Sequence, residues 1–320
     1  MTNQAIRSAA FVFISLVACS AITVHSETAP ERRAASALFN NFETVVYTRT
    51  DFISRTGGKN YDYVDSLTGL RLPFLELVGG LKVLGLDTAS EVLAKYSAVL
   101  VGAKDFAPPE GLGMVSSHKC YIGILDSGDQ PSIEAVFRKA AVEFIEGKPV
   151  WTWPAPPYEG HPKPTTFYAA QIAHNYFLMT NDRQDFQAVA SILILAGSSS
   201  ADSVEVRGWE TFKAHKYWAY RLVNRDGVVN SNASTTGSLN ADVIALTFFA
   251  DVDQREGSLQ VFSSDSDMKT TPRVLPEGAP NKLQPQGAGI WQASLPLSKN
   301  EVDSNVMFQL FYSLGFGVAL

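Results

Sequence analysis

The chain has 320 residues, 46% of them hydrophobic and 18% charged, a composition that supports one large globular domain or two smaller ones. Its 26 Lys and Arg stand against 32 Asp and Glu, a net charge of −6, and no basic run occurs anywhere. Nucleic acid is therefore excluded as a partner, because counterion release needs clustered cations.

Residues 1–26 read as an export signal. A short start carries only Arg7, an apolar run extends from Ala9 to Ala18, and small residues follow. Val24 and Ser26 are small enough for an ordinary signal peptidase, which would start the mature chain at Glu27. Alternatively, Leu16, Val17, Ala18 and Cys19 resemble the lipobox of bacterial lipoproteins, and that resemblance implies a diacylglycerol on Cys19. Both readings stay open. The run is shorter than the roughly 20 residues of a spanning helix and is interrupted by Ser15, Ser20 and Thr23, so an uncleaved anchor is the weaker reading. Either way the expected address is outside the cytoplasm: periplasm, cell surface or extracellular space. The membrane is expected to be reached only through a lipid on Cys19. Without residues 1–26 the chain keeps 25 Lys and Arg against 32 acids, a charge of −7.

The mature part, residues 27–320, is expected to form a single α+β domain, with a seam between two halves near 197–206 if it divides. Residues 27–43 give a polar lead-in and then a first helix or strand. Residues 72–96 read as helical, with a break at Gly79-Gly80 and a second helix opening at Asp87 or Thr88. "YSAVLVGA" and "CYIGIL" are short apolar strands separated by a turn-rich loop. With Cys19 in the signal, Cys120 is the only thiol of the folded part, and its apolar run marks it as a buried small hydrophobe rather than a nucleophile.

After Leu125, "DSGDQP" reads as the start of a helix over 131–146. Asp129 is placed to cap it, Ile133, Val136, Phe137, Ala140, Phe144 and Ile145 recur at helical steps, and Gly147 is placed to end it. A strand, a turn at His174-Asn175, a second strand and a helix carrying Phe186, Val189, Ala190, Leu193 and Ile194 follow. The echo between the two regions raises a duplicated strand-turn-helix unit. Further on, "GWETFKAH" reads as a short helix, "KYWAYRLV" as a strand, residues 241–264 as a hairpin across "DQRE", and "GAGIWQASLPL" as another strand. The expected fold is a largely antiparallel sheet with amphipathic helices on one face.

Chemistry is sparsely marked: no nucleophile elbow, phosphate loop, dinucleotide fingerprint or zinc helix motif occurs. No cofactor, metal or catalytic centre is expected, and an enzyme is not indicated. Ser116 and Lys119 have the Ser-x-x-Lys spacing of penicillin-recognising hydrolases, but there the pair needs one helical turn, and in a strand the two positions face opposite ways. Ser266 and Lys269 repeat the spacing in a polar loop, and residues 197–201 follow a helix rather than a strand. Asp251, Asp253, Glu256, Asp265 and Asp267 lack the glycine and distal glutamate of a calcium loop and read as a solvated hairpin tip.

The stretch 149–164 is the candidate binding segment for a carbohydrate or small ligand. In a strand, Trp151 and Trp153 share a face, and Tyr158 and His161 stand on a proline-stiffened rim. Burial of the tryptophan pair against the helix is the preferred reading, since Val150 and Thr152 make a poor core face. The apolar C-terminus "MFQLFYSLGFGVAL" is read as a docked core element. Taken together, the sequence points to an exported envelope protein of unknown function, with a binding or structural role toward an envelope ligand or protein.

Overall fold

The computed structural model describes residues 30–50, 96–107, 115–125, 137–155, 165–173, 175–194, 217–222, 224–225, 228–229, 243–251, 254–265, 267, 269–272, 274–275, 281–298, 300, 302 and 307. The signal with Cys19, the helices expected over 72–96 apart from Tyr96, which is described as strand, the short helix near 208–215, Asp129, Tyr158, His161, His174, Asp253, Ser266, the seam at 197–206 and the C-terminal segment 308–320 lie outside them.

Runs of β-branched and aromatic residues build the framework. The strands are β1 (Thr44–Arg49), β2 (Tyr96–Ala107), β3 (Val115–Leu125), β4 (Ala141–Ile145), β5 (Lys148–Ala155), β6 (Thr165–Ile172) and β7 (Tyr176–Thr180). Beyond them come β8 (Tyr217–Leu222), β9 (Asn224–Arg225), β10 (Val228–Val229), β11 (Val243–Asp251), β12 (Glu256–Ser263), β13 (Gln284–Gly287) and β14 (Ile290–Ser294). Twelve of them form one sheet in the order β13-β14-β12-β11-β8-β1-β2-β3-β7-β6-β5-β4, and β9 pairs with β10 separately. Each pairing is antiparallel, so the fold is sheet-dominated α+β. Strands from before and after residue 200 belong to the same sheet, since β8 lies between β1 and β11.

Two helices are described, α1 (Pro30–Phe39) and α2 (Arg183–Ile194). Pro30 suits the first turn of α1, where its missing N–H costs nothing. Asp182 caps α2: its Oδ1 accepts the backbone N–H of Gln184 at 2.8 Å and of Asp185 at 2.9 Å. The helices share one sheet face, where Leu38, Phe39, Phe186, Val189 and Leu193 join Leu100, Cys120, Ile122 and Leu178 in one core cluster. Close approach of α1 and the residues after it is permitted by Gly102 in β2, where a Cβ would stand 3.0 Å from Leu38 Cδ2 and 2.8 Å from the Phe42 ring.

The opposite sheet face carries the second cluster, including Val99, Tyr121, Phe177, Phe248 and Leu259. Burial on both faces explains the nearly continuous apolar runs of β2, β3, β7 and β11. It also corrects one expectation: Val150, read as part of a poor core face, is fully buried in the helix-side cluster.

The larger correction concerns the helix expected over 131–146. Residues 137–140 form a turn and Ala141–Ile145 is strand β4, so the C-terminal half of that helix is replaced by a hairpin. Gly147 does not end a helix but closes the turn to β5. Glu146 and Gly147 both adopt positive φ, 51° and 77°, the conformation of a two-residue hairpin turn that matches strand twist. Apolar residues at 140, 142, 144 and 145 fit both periods, and the long-range partner β5 decides between them. Among the described residues, the duplicated unit thus lacks its first helix, while the second is present as α2. Because Glu146 carries a side chain at left-handed φ, Glu146→Asn is expected to raise stability by about 0.5 kcal/mol, read as a higher urea midpoint. A lower midpoint would contradict the turn assignment.

Candidate functional site

The edge of the sheet at β4 and β5 is the first candidate. Phe137, itself buried, stacks on Trp151 at 4.6 Å between ring centroids and 12° between planes. It also contacts Trp153 and Phe177, each at 5.5 Å, and Trp153 continues to Phe167 at 5.5 Å. Trp153 is only 3% exposed and belongs to the core, whereas Trp151 is half-buried at its margin. Trp153 is buried, but against Phe137 and Phe167 rather than against the expected helix, and Trp151 is buried only in part. A platform offering both indoles to two sugar rings does not form, because Trp153 is buried and one Trp151 face lies against Phe137.

Outward from Trp151 the apolar surface continues into solvent. Val142 pairs with Trp151 and Phe144 with Pro149 across the β4–β5 ladder, so these four positions share one face. Val142 is 56% and Phe144 70% exposed. Arg138 and Lys139 in the preceding turn are exposed, as is Lys148, which pairs with Ile145 and so falls on the opposite face. The sequence reading missed this patch because it placed Phe144 on the buried side of a helix.

The second candidate is a polar cluster on the helix side. The pairing of Cys120 with Thr180 brings His118 of β3 beside the start of α2. His118 Nδ1 lies 2.9 Å from Asp185 Oδ2 and 4.0 Å from Asp182 Oδ2, and Lys104 Nζ lies 2.5 Å from Asp185 Oδ1. Among the described residues, His118, Asp182 and Asp185 are the one group whose donor atoms lie close enough to share a metal ion. A bound cation there would compete with the Lys104 ammonium for Asp185, and Asp182 already caps α2. The arrangement works as an ion network joining β2, β3 and α2. Asp185 is nearly buried, so Asp185→Ala is expected to lower stability by about 2 kcal/mol through two lost charge-assisted bonds. Urea unfolding of the variant against wild type measures it, and an unchanged midpoint would dissolve the network's structural role. From sequence, the acids at the cap and third position of α2 were visible, but their meeting with His118 depends on a strand pairing that no local pattern encodes.

Positions 116 and 119 lie three apart in β3, opposite Phe106 and Ala103, so the one-turn helical geometry of a Ser-x-x-Lys pair is absent. Lys119 is fully buried, and its backbone N–H donates to Asn181 Oδ1 at 2.7 Å. Cys120 is fully buried, and burial, with a smaller push from Asp185, drives its thiol well above its ordinary range, with Lys104 opposing. Of the acidic residues, two bond within turns: Asp251 Oδ1 accepts from Gln254 N at 3.1 Å, and Asp265 Oδ2 accepts from Lys269 N at 2.9 Å. No helix among the described residues is long and apolar enough to cross a membrane.

No protein-family model and no curated protein matches the chain. Among solved structures, three crystal forms of the protein TP0453 are similar over most of both chains. Form III aligns at 8% identity with a TM-score of 0.44, covering 85% of this chain and 96% of that one. Form I gives 9%, 0.45, 86% and 96%, and form IV gives 10%, 0.41, 85% and 95%. At this level of likeness, fold and function rest on the chain's own residues.

Proposed function

We propose that this is an exported, non-enzymatic envelope protein that binds its ligand or partner at the sheet margin around Trp151, within the segment 149–164. One observation carries the binding part. On a sheet whose central strands are buried on both faces, the β4–β5 edge leaves an apolar surface open beside a half-buried indole. Export is supported by the signal-like residues 1–26 and leaves Cys19 or Glu27 as the first residue of the mature chain. The non-enzymatic part is supported by the engagement of Asp185 with both Lys104 and His118 and by the burial of Lys119.

The test is to express the full chain in a bacterium, isolate it from the envelope fraction, determine its N-terminal mass, and expose it to a serine-reactive fluorophosphonate. A chain beginning at Glu27 or at a diacylated Cys19, without labelling, is the expected result. A chain that keeps residues 1–26 in the cytoplasm would refute export, and labelling abolished by Ser116→Ala would replace binding with hydrolysis.

A further inference from the structure

We propose that the β4–β5 hairpin docks the protein onto an anionic lipid surface, with Val142 and Phe144 entering the boundary between headgroups and acyl chains. The inference rests on the margin being the contact surface and specifies its partner. The two side chains stand on one face of an edge strand, opposite Trp151 and Pro149 in register, so the outermost part of that face is apolar across its width. A half-buried indole at the rim suits the interface, where aromatic rings sit at headgroup depth.

The surrounding charge fits phosphates. Arg138 and Lys139 are exposed in the turn that leads into β4, and Glu146 is the one exposed acid of residues 137–155. Glu143 and Lys148 both fall on the other face of the hairpin, opposite Val150 and Ile145, and Glu143 Oε1 is buried. This local excess of cations belongs to a chain whose net charge is −6. Long basic side chains beside an inserted apolar pair supply the second signal that weak membrane attachment needs, and a diacylglycerol on Cys19, where present, would supply a further one.

A second copy is the other occupant an open edge invites, by antiparallel pairing of β4 with β4. Full overlap of that five-residue strand centres on Glu143 and sets it against its own symmetry mate, an unfavourable opposition of like charges. The charge pattern thus disfavours the self-pair and favours the lipid surface.

The test uses residues 27–320 in sedimentation with vesicles of phosphatidylethanolamine and phosphatidylglycerol, and with vesicles of phosphatidylcholine alone. Binding is expected to the first and to be much weaker to the second. The double variant Val142→Ser, Phe144→Ser is expected to bind about tenfold more weakly, and Arg138→Glu with Lys139→Glu to remove the preference for the anionic lipid. Both variants change exposed side chains, so an unaltered urea midpoint certifies the fold. Absence of vesicle binding, or binding indifferent to Val142 and Phe144, would overturn the proposal. So would a dimer in light scattering that dissociates on Phe144→Ser without any vesicle binding. Failure of export is read separately, from the N-terminal mass of the cell-made chain.

Discussion

Raising the pH of the folded protein from neutrality to about 11 is expected to remove on the order of 5 kcal/mol of its stability, because three acidic protons are locked into the core. Burial raises the Cys120 thiol well above its ordinary value of 9.0, and raises the Tyr96 and Tyr217 phenols well above their ordinary 10.0. In each case the fold holds the neutral form. The native chain therefore keeps its protons where the unfolded chain begins to lose them. The contribution is complete below about pH 9, the thiol's ordinary value, and is lost as pH climbs from there toward the raised folded values. Each group contributes a slope of about 1.4 kcal/mol per pH unit once the pH exceeds its unfolded value. Urea midpoints measured across this range should fall with increasing steepness, and Tyr217→Phe should remove one share of the slope while leaving the Cys120 share in place. A midpoint that stays level up to about pH 11 would mean that these hydroxyls reach water, and that the cluster holding Tyr96 and Tyr217 is not a dry core.

That core was largely legible in the sequence. "YSAVLVGA" and "CYIGIL" lie within β2 and β3, the hairpin across "DQRE" is β11 and β12, and the helix with Phe186, Val189 and Leu193 is α2. These segments carry their own evidence: unbroken β-branched runs for strands buried on both faces, or a three- and four-residue apolar step for the helix. Residues 137–147 carry no such evidence. Ala140, Phe144 and Ile145 satisfy helical spacing, Val142 and Phe144 satisfy alternation, and the choice is made by β5, to which they pair. The consequence for the site was direct. A helix would have turned Phe144 toward the sheet, whereas the strand leaves it in solvent. Trp151 and Trp153 were placed correctly on one face, yet Trp153 lies between Phe137 and Phe167 while Trp151 is stacked by Phe137 on one side, a difference set by contacts between distant segments. The His118–Asp185 contact was hidden for the same reason, since 67 residues separate the two partners in the chain.

Replacing Phe137 with alanine is expected to cost about 3 to 5 kcal/mol and to open Trp151 to solvent in the same step. The ring is 1% exposed and touches Trp151, Trp153 and Phe177, so its removal leaves a cavity bordered by three flat side chains that cannot easily close over it. Trp153 is also held by Phe167 from the neighbouring strand and should stay buried, while Trp151 loses the ring stacked on its face. The two effects separate experimentally. The urea midpoint reports the cavity. Acrylamide quenching reports the indole, as the difference between the variant and the same variant carrying Trp151→Phe, because the chain holds five tryptophans. A red-shifted, readily quenched Trp151 in a still-folded protein would show that Phe137 is the wall dividing core from contact surface. Loss of stability with Trp151 still shielded would place its cover elsewhere in the chain, and the margin would then be a closed part of the core rather than a surface that meets a partner. Phe137→Leu supplies the control, since it fills most of the cavity without a flat ring to stack and should recover stability more fully than it recovers the shielding of Trp151.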